Sequence, residues 1–189
     1  TLQRMAPANT TVAFAARVCS ALDVEAMRRA WRALRERHAM LRMQCGTEAG
    51  EPVQRVRTVF ADSFEVSRCP ADEAERLVAA AYRRPFDLEA GEPARLHLVS
   101  HGENDHVLLL VAHHIACDGW SLWILVDELK ALYAAACAGR DANLAPTAHS
   151  YVDFVTWERA LVDGAEGERQ WSYWRERLAG ELPALDLPT

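Results

Sequence analysis

The chain has 189 residues, 50% of them hydrophobic and 25% charged, and its 21 Lys and Arg against 27 Asp and Glu give a net charge of −6. Such a composition excludes a disordered chain, and the interspersed signs argue against nucleic acid as a partner. The longest strongly apolar stretch, residues 107–112, is far short of the roughly 20 residues that cross a bilayer, and no signal pattern opens the chain. A soluble, cytoplasmic protein with no membrane partner is expected. Cys19, Cys45, Cys69, Cys117 and Cys137 are odd in number and include no C-x-x-C pair, so they read as reduced thiols without a disulfide framework or a zinc site.

Residues 1–10 carry little periodicity and no initiating Met, so the chain reads as a piece excised from a longer polypeptide. Val12, Phe14, Ala16 and Val18 alternate with smaller or more polar residues, the period of a half-buried strand. Asp23 is placed to cap a helix whose apolar face runs Val24, Met27, Trp31, Leu34, His38, Leu41. Residues 41–57 read as a hairpin with Gly46 and Gly50 bracketing its turn, followed by a short strand at 64–67 and a helix at 72–83 that stops before Pro85.

Two strand-like runs, 94–100 and 106–112, flank the polar segment from His101 to Asp105. From Val107 to Ala112 the second is apolar at every position, which requires cover on both faces and places it centrally in its sheet. A long amphipathic helix follows Gly119, with Leu122, Leu125, Val126, Leu129, Leu132, Tyr133 and Ala136 on its inner side. Beyond a polar linker, 151–162 and 168–178 read as two more helices, and 182–188 as an extended tail. Tyr151, Phe154 and Val155 suit a helix face packed on the sheet, and Trp171 and Trp174 suit the core. Strands and helices in this order predict an α/β sandwich with a mixed β-sheet flanked by helices. Gly-rich phosphate-binding fingerprints are absent.

Chemistry-bearing residues concentrate in Ala112-His113-His114-Ile115-Ala116-Cys117-Asp118-Gly119-Trp120-Ser121, where the buried strand ends and a helix begins. Side chains alternate along a strand, so His113 and His114 should point to opposite sides, one toward substrate and one toward a supporting role. Adjacent histidines diverge and no other His or Cys has ligand spacing, which leaves no metal site. Nothing near Cys117 marks it as a nucleophile rather than a small buried residue.

The segment His113-His114-x-x-x-Asp118-Gly119-Trp120-Ser121 resembles the HHxxxDGWS signature of nonribosomal peptide synthetase condensation domains, members of the chloramphenicol acetyltransferase-like superfamily. Other segments are similar to that family in the same order. Arg37-His38-Ala39-Met40-Leu41-Arg42 resembles its RHExLR motif, with Ala39 where Glu is usual. Pro85-Phe86-Asp87-Leu88 with Pro93-Ala94-Arg95 resembles PFDL…P-x-R, and Tyr151-Val152-Asp153-Phe154-Val155-Thr156-Trp157 resembles YxDYAxW. Trp174, Leu178 and Leu187-Pro188 resemble its YW…L…LP ending. The family's opening SxAQxRLW segment and the second half of its domain are missing. Residues 1–189 therefore resemble an amino-terminal lobe whose carboxy-terminal lobe is absent. Heterocyclisation domains would carry aspartates in place of the histidines, and epimerisation domains would read DGxSW.

The resemblance implies amide formation between an acyl or peptidyl thioester donor and the amine of an aminoacyl acceptor, each on the phosphopantetheine arm of a carrier protein, with no cofactor bound by this lobe itself. An α-amine with a pKa of about 8 is partly neutral near pH 7, so the harder proton to move is on the cationic tetrahedral intermediate, and an imidazole titrating near 6.5 is suited to take it or to position the amine. It also implies that His114 carries this role and that His113 supports it. Asp118 would hold the turn through an ion pair with Arg42 or, second, Arg37. Gly119 would allow a close backbone approach or a conformation closed to other residues, and Trp120 would pack in the core beside Ser121. The alternatives are a single-lobe CoA-dependent acetyltransferase and a non-catalytic carrier-protein docking lobe, the latter using the arginine-bearing helix at 23–40. The isolated lobe is expected to be inactive, because the tunnel's opposite wall is missing.

Overall fold

A computed structural model describes residues 10–181; residues 1–9 and the tail expected at 182–188 lie outside them. The described residues fall into two compact units, 10–146 and 147–181. The first unit holds a mixed four-stranded sheet in the order β1 (Thr11–Val18), β6 (Asp105–His113), β5 (Ala94–Gly102), β4 (Phe64–Arg68). β6 pairs antiparallel with both β1 and β5, while β4 runs parallel to β5.

The apolar run of β6 has cover on both sides. Leu108, Leu110 and Ala112 share a core with Met27, Ala30, Trp31 and Leu34 of α1 (Val24–Arg37) and Leu122, Leu125, Val126 and Leu129 of α3 (Gly119–Cys137). Leu109 and Val111 face the opposite way, onto Phe86, Leu88 and the Val78, Ala81 and Tyr82 side of α2 (Ala71–Arg83). Alternation along β6 thus serves two hydrophobic layers, each worth roughly 25 cal/mol per Å² of apolar surface removed from water.

Asp23 caps α1 as expected, its Oδ1 accepting from the Ala26 N–H at 2.9 Å. Trp31 is fully buried and donates its indole N–H to Ser63 Oγ at 3.0 Å, which satisfies the one polar atom that its burial would otherwise strand. A separate hairpin pairs β2 (Met43–Glu48) with β3 (Glu51–Val56). Its turn is Ala49-Gly50, both at positive φ, as a two-residue turn matched to strand twist requires. Gly46 sits inside β2, opposite Val53, so the expectation that it brackets the turn is corrected.

The second unit contains α4 (Tyr151–Val162) and α5 (Ala165–Arg177), the latter beginning three residues earlier than expected. Asp153 closes a capping box at the start of α4: its carboxylate accepts from the Ser150 N–H at 2.7 Å, and Ser150 Oγ accepts from the Asp153 N–H. That gives the aspartate of the YxDYAxW-like segment a local job. No residue of α4 or α5 is buried. Within this unit Tyr151, Phe154 and Val155 are exposed, as are Trp171 and Trp174. Tyr151, Phe154 and Trp157 form a run of ring contacts along α4, with centroids 5.7 and 5.8 Å apart.

Candidate active site at the end of the central strand

His113 is the last residue of β6 and is held from three directions. Its backbone N–H donates to Pro93 O at 2.8 Å. Its Nδ1 accepts from the Ile115 N–H at 3.1 Å, and its ring meets Phe86 edge-on, with centroids 5.9 Å apart at 87°. An acceptor Nδ1 puts the proton of the neutral ring on Nε2. Burial first, then neighbouring His114, holds this imidazole below the ordinary histidine range. His113 is accordingly a neutral residue lodged in the core.

His114 is the exposed one of the pair. Its backbone N–H donates to Thr10 O at 2.7 Å, so the chain beside β1 fixes the peptide while the ring remains accessible. Residues 113–116 close a turn through Ala116 N–H to His113 O at 2.9 Å. Between this turn and α3 lies Cys117, buried in the core, its thiol pushed up to about 11 by burial and by Asp118. A thiol so poised is no nucleophile near neutrality.

Asp118 departs from expectation. It is the N-cap of α3, with Oδ1 accepting from the Ser121 N–H at 2.7 Å, and the hydrogen bonds from Ser121 hold its carboxyl below the usual range. Neither arginine reaches it. Arg42 donates to Arg35 O at 2.7 Å, Glu36 O at 3.1 Å and Arg57 O at 2.5 Å. It thereby serves two carbonyls left open where α1 ends and ties them to the residue after β3. Arg37 pairs with Glu128 of α3 at 2.9 Å and donates to Ala145 O, and His38 Nε2 meets the same carboxylate at 2.6 Å. An aspartate at a helix start has a backbone donor already in place, which no distant arginine has to displace.

Two further expectations are corrected. Trp120 is 80% exposed rather than core, because it lies on the outer face of the first turn of α3. Trp123 and Ile124 are exposed on that helix too, with Trp123 set edge-on to Phe14 at 5.6 Å. Gly119 has no positive φ, and a Cβ added there would meet nothing within 4 Å; within this chain, neither strain nor close approach demands glycine.

Glu128 escaped the sequence reading, although a signal was present. It lies three residues after Leu125 and four before Leu132, on the apolar stripe of α3, where a carboxylate needs a partner. Arg95 was matched only as a motif letter. It is buried, stacks 3.9 Å above the Phe86 ring, and donates to Pro85 O and Arg84 O. Among the described residues no group of three His, Cys, Asp or Glu could hold a metal ion, and no helix is long and apolar enough to cross a membrane.

This arrangement has known counterparts. The condensation-domain family model matches residues 4–189. The chain is 36% identical over 179 residues to a phosphinothricin tripeptide synthetase of Streptomyces viridochromogenes, with 91% of the chain aligned. It is 37% identical over 198 residues to the isonitrile lipopeptide synthase of Mycobacterium tuberculosis, with the whole chain aligned. It spans only 16% and 8% of those two proteins. Among solved structures it resembles the X-domain of teicoplanin biosynthesis in its complex with OxyB, at a TM-score of 0.86 and 29% identity over 95% of this chain and 40% of that one. The starter condensation domain of rhizomide synthetase shares the fold at a TM-score of 0.84 and 19% identity, over 95% of this chain and 45% of that one. With its mixed sheet, its histidine pair at the end of β6 and these matches, the chain belongs to the condensation-domain family of nonribosomal peptide synthetases, with the chloramphenicol acetyltransferase-like fold.

Proposed function

We propose that residues 1–189 supply the amino-terminal lobe of a condensation domain, and that the complete domain joins a carrier-bound acyl or peptidyl thioester to the amine of a carrier-bound aminoacyl group. The observation that carries this reading is the division of labour at the end of β6: His113 buried and neutral, His114 exposed on a turn pinned at both ends. The acceptor nitrogen attacks the thioester carbonyl carbon, a C–N bond forms, and the C–S bond breaks. His114 positions the amine by a hydrogen bond or takes the proton from the nitrogen once it turns cationic, and that proton leaves with the departing thiolate as thiol. Asp118 and Ser121 start α3 at a fixed point and so hold the turn's far end. The partner surfaces are the two carrier proteins and the opposing lobe, and the pantetheine arms are substrate rather than a resident cofactor.

The test is transfer in the full-length protein that contains this chain, supplied with a donor carrier and an aminoacyl acceptor carrier. Intact-mass analysis should show the acceptor carrier gaining the donor's acyl mass, and residues 1–189 alone should give none. Acylation of a free amine by acetyl-CoA without any carrier, sustained by residues 1–189 alone, contradicts the reading in favour of a single-lobe acetyltransferase. A second reading, a recruiting platform without turnover, draws on the similarity to the X-domain solved in complex with OxyB; it requires that no acyl transfer occur while the full-length protein still binds a partner.

A further inference from the structure

Behind the histidine turn lies a stack that stability alone does not account for. Arg95 is 5% exposed, and no carboxylate among the described residues lies within ion-pair distance of it. Burial is the chief cause that pushes its guanidinium down to about 10, with nearby Arg84 adding to it and the more distant Glu65 and Glu92 only partly opposing it. A buried cation that lacks a paired carboxylate costs folding free energy, and an apolar side chain of similar length would commonly be as stable or more so. What the guanidinium does have is geometry. Nη1 donates to Pro85 O at 3.1 Å, Nη2 donates to Arg84 O at 2.6 Å, and the plane sits 3.9 Å over Phe86. A cation that donates to two carbonyls of the connecting segment while lying over the ring holds the ring in place against it.

Phe86 in turn presents itself to His113 at 5.9 Å and 87°. The same connecting segment gives Pro93 O to the His113 N–H at 2.8 Å. The His113 ring, so oriented, aims Nδ1 at the Ile115 N–H and leaves its proton on Nε2, buried and without a hydrogen-bond partner. Residues 113–115 bracket His114. Any rotation of the His113 ring therefore releases the Ile115 N–H and loosens the peptide carrying His114, and a displacement of about 1 Å at a reacting group can cost on the order of 10²-fold in rate.

We infer that Arg95 is a positioning residue: through Phe86 it fixes the ring plane and the Nε2–H tautomer of His113, and through His113 the turn that presents His114. This rests on the reading of His114 proposed above. Two measurements test it together. The first is the His113 tautomer, read from long-range ¹H–¹⁵N couplings in the 189-residue chain. The second is kcat and KM for amide formation in the full-length protein with loaded carriers. Arg95→Met should fold, as its melt will show. It should turn the single Nε2–H signal into a tautomer mixture and lower kcat about tenfold with KM unchanged. Arg95→Lys, which keeps a cation over Phe86, should recover the rate to within about threefold of wild type and also covers the case in which the Met variant does not fold. Phe86→Leu should match Arg95→Met, and the double variant should be no slower than either.

Arg95→Met with wild-type kcat overturns the inference. So does a lowered kcat with an unchanged His113 tautomer, or an Arg95→Lys protein as slow as the Met variant. Failure of the underlying reading looks different: His114→Ala would then condense at the wild-type rate whatever Arg95→Met does to the tautomer.

Discussion

Two carboxylates at helix α3, Asp118 at its N-cap and Glu128 within it, find their partners at opposite ranges. Asp118 is satisfied three residues away, by the Ser121 N–H, and is exposed. Glu128 is satisfied some ninety residues away in sequence, by Arg37 and His38 where α1 ends, and is largely shielded from water. Burial alone would push the Glu128 carboxyl up, and the hydrogen bonds from Arg37 and His38 more than offset that, leaving it below the ordinary range. The first carboxylate starts the helix at the histidine turn, and the second ties the helix to α1. A sequence motif that contains both an aspartate and an arginine is thus no guide to which carboxylate that arginine meets.

Removing the long-range partner should produce the largest change in stability. Glu128→Ala leaves Arg37 and His38 facing a largely shielded site, and loss of charge-assisted hydrogen bonds of this kind costs about 1.5–3 kcal/mol. A double-mutant cycle with Arg37→Ala should give a coupling free energy of at least about 0.5 kcal/mol, measured by denaturant unfolding. Strict additivity would break the pairing.

A smaller effect is expected at Asp118. Asp118→Ala should lower the melting temperature by roughly 2–4 °C, the size of a lost helix N-cap in a chain of this length. Asp118→Asn, an equally good cap, should restore it, and Arg42→Ala combined with Asp118→Ala should be additive. Failure of Asn to rescue, together with coupling to Arg42 or Arg37, would reinstate the ion pair that the sequence pattern suggested.

What could be read beforehand followed from local physics. The three-and-four spacing of Val24, Met27, Trp31 and Leu34 fixed α1 because a helix returns side chains to one face at that interval. The unbroken apolar run of β6 announced two covered faces, and the structure has both. The histidine pair fell at a strand end for the same reason. The misses were non-local or turned on a single φ. The hairpin turn falls at Ala49-Gly50, with Ala49 at positive φ, rather than between Gly46 and Gly50. Trp120 is hydrophobic, but its place on α3 faces outward, and hydrophobicity does not say which face of a first turn is buried. Glu128 required knowing that α1 and α3 pack side by side.

The pH response sharpens the comparison at the small end. Asp118 and Glu128 are both held below their ordinary ranges, so both stay charged between pH 7.5 and 5.5, a window chosen to exclude them. His97 and His113 are also depressed, each by burial first. Around His97 stand Glu65 on β4, which opposes the shift, and Arg84 and Arg95, which add to it. A depressed imidazole binds its proton more tightly in the unfolded chain. The stability it confers is therefore complete above the ordinary histidine value of about 6.5 and is lost as pH falls through that value toward the folded one. The melting temperature should drop between pH 7.5 and 5.5, and His97→Gln should shrink the drop; an identical drop in wild type and variant would assign the loss elsewhere.

The claim on which the account turns is that the exposed His114, and not its buried neighbour or the capping aspartate, acts on the substrate. Its most direct test is the single-turnover rate of amide formation by His114→Ala in the full-length protein with loaded carriers, taken alongside a thermal melt. The account predicts a rate lower by roughly 10²–10⁴-fold, the usual range for a lost acid–base or positioning group, with a melt indistinguishable from wild type. A folded His114→Ala protein that forms the amide at the wild-type rate would contradict it.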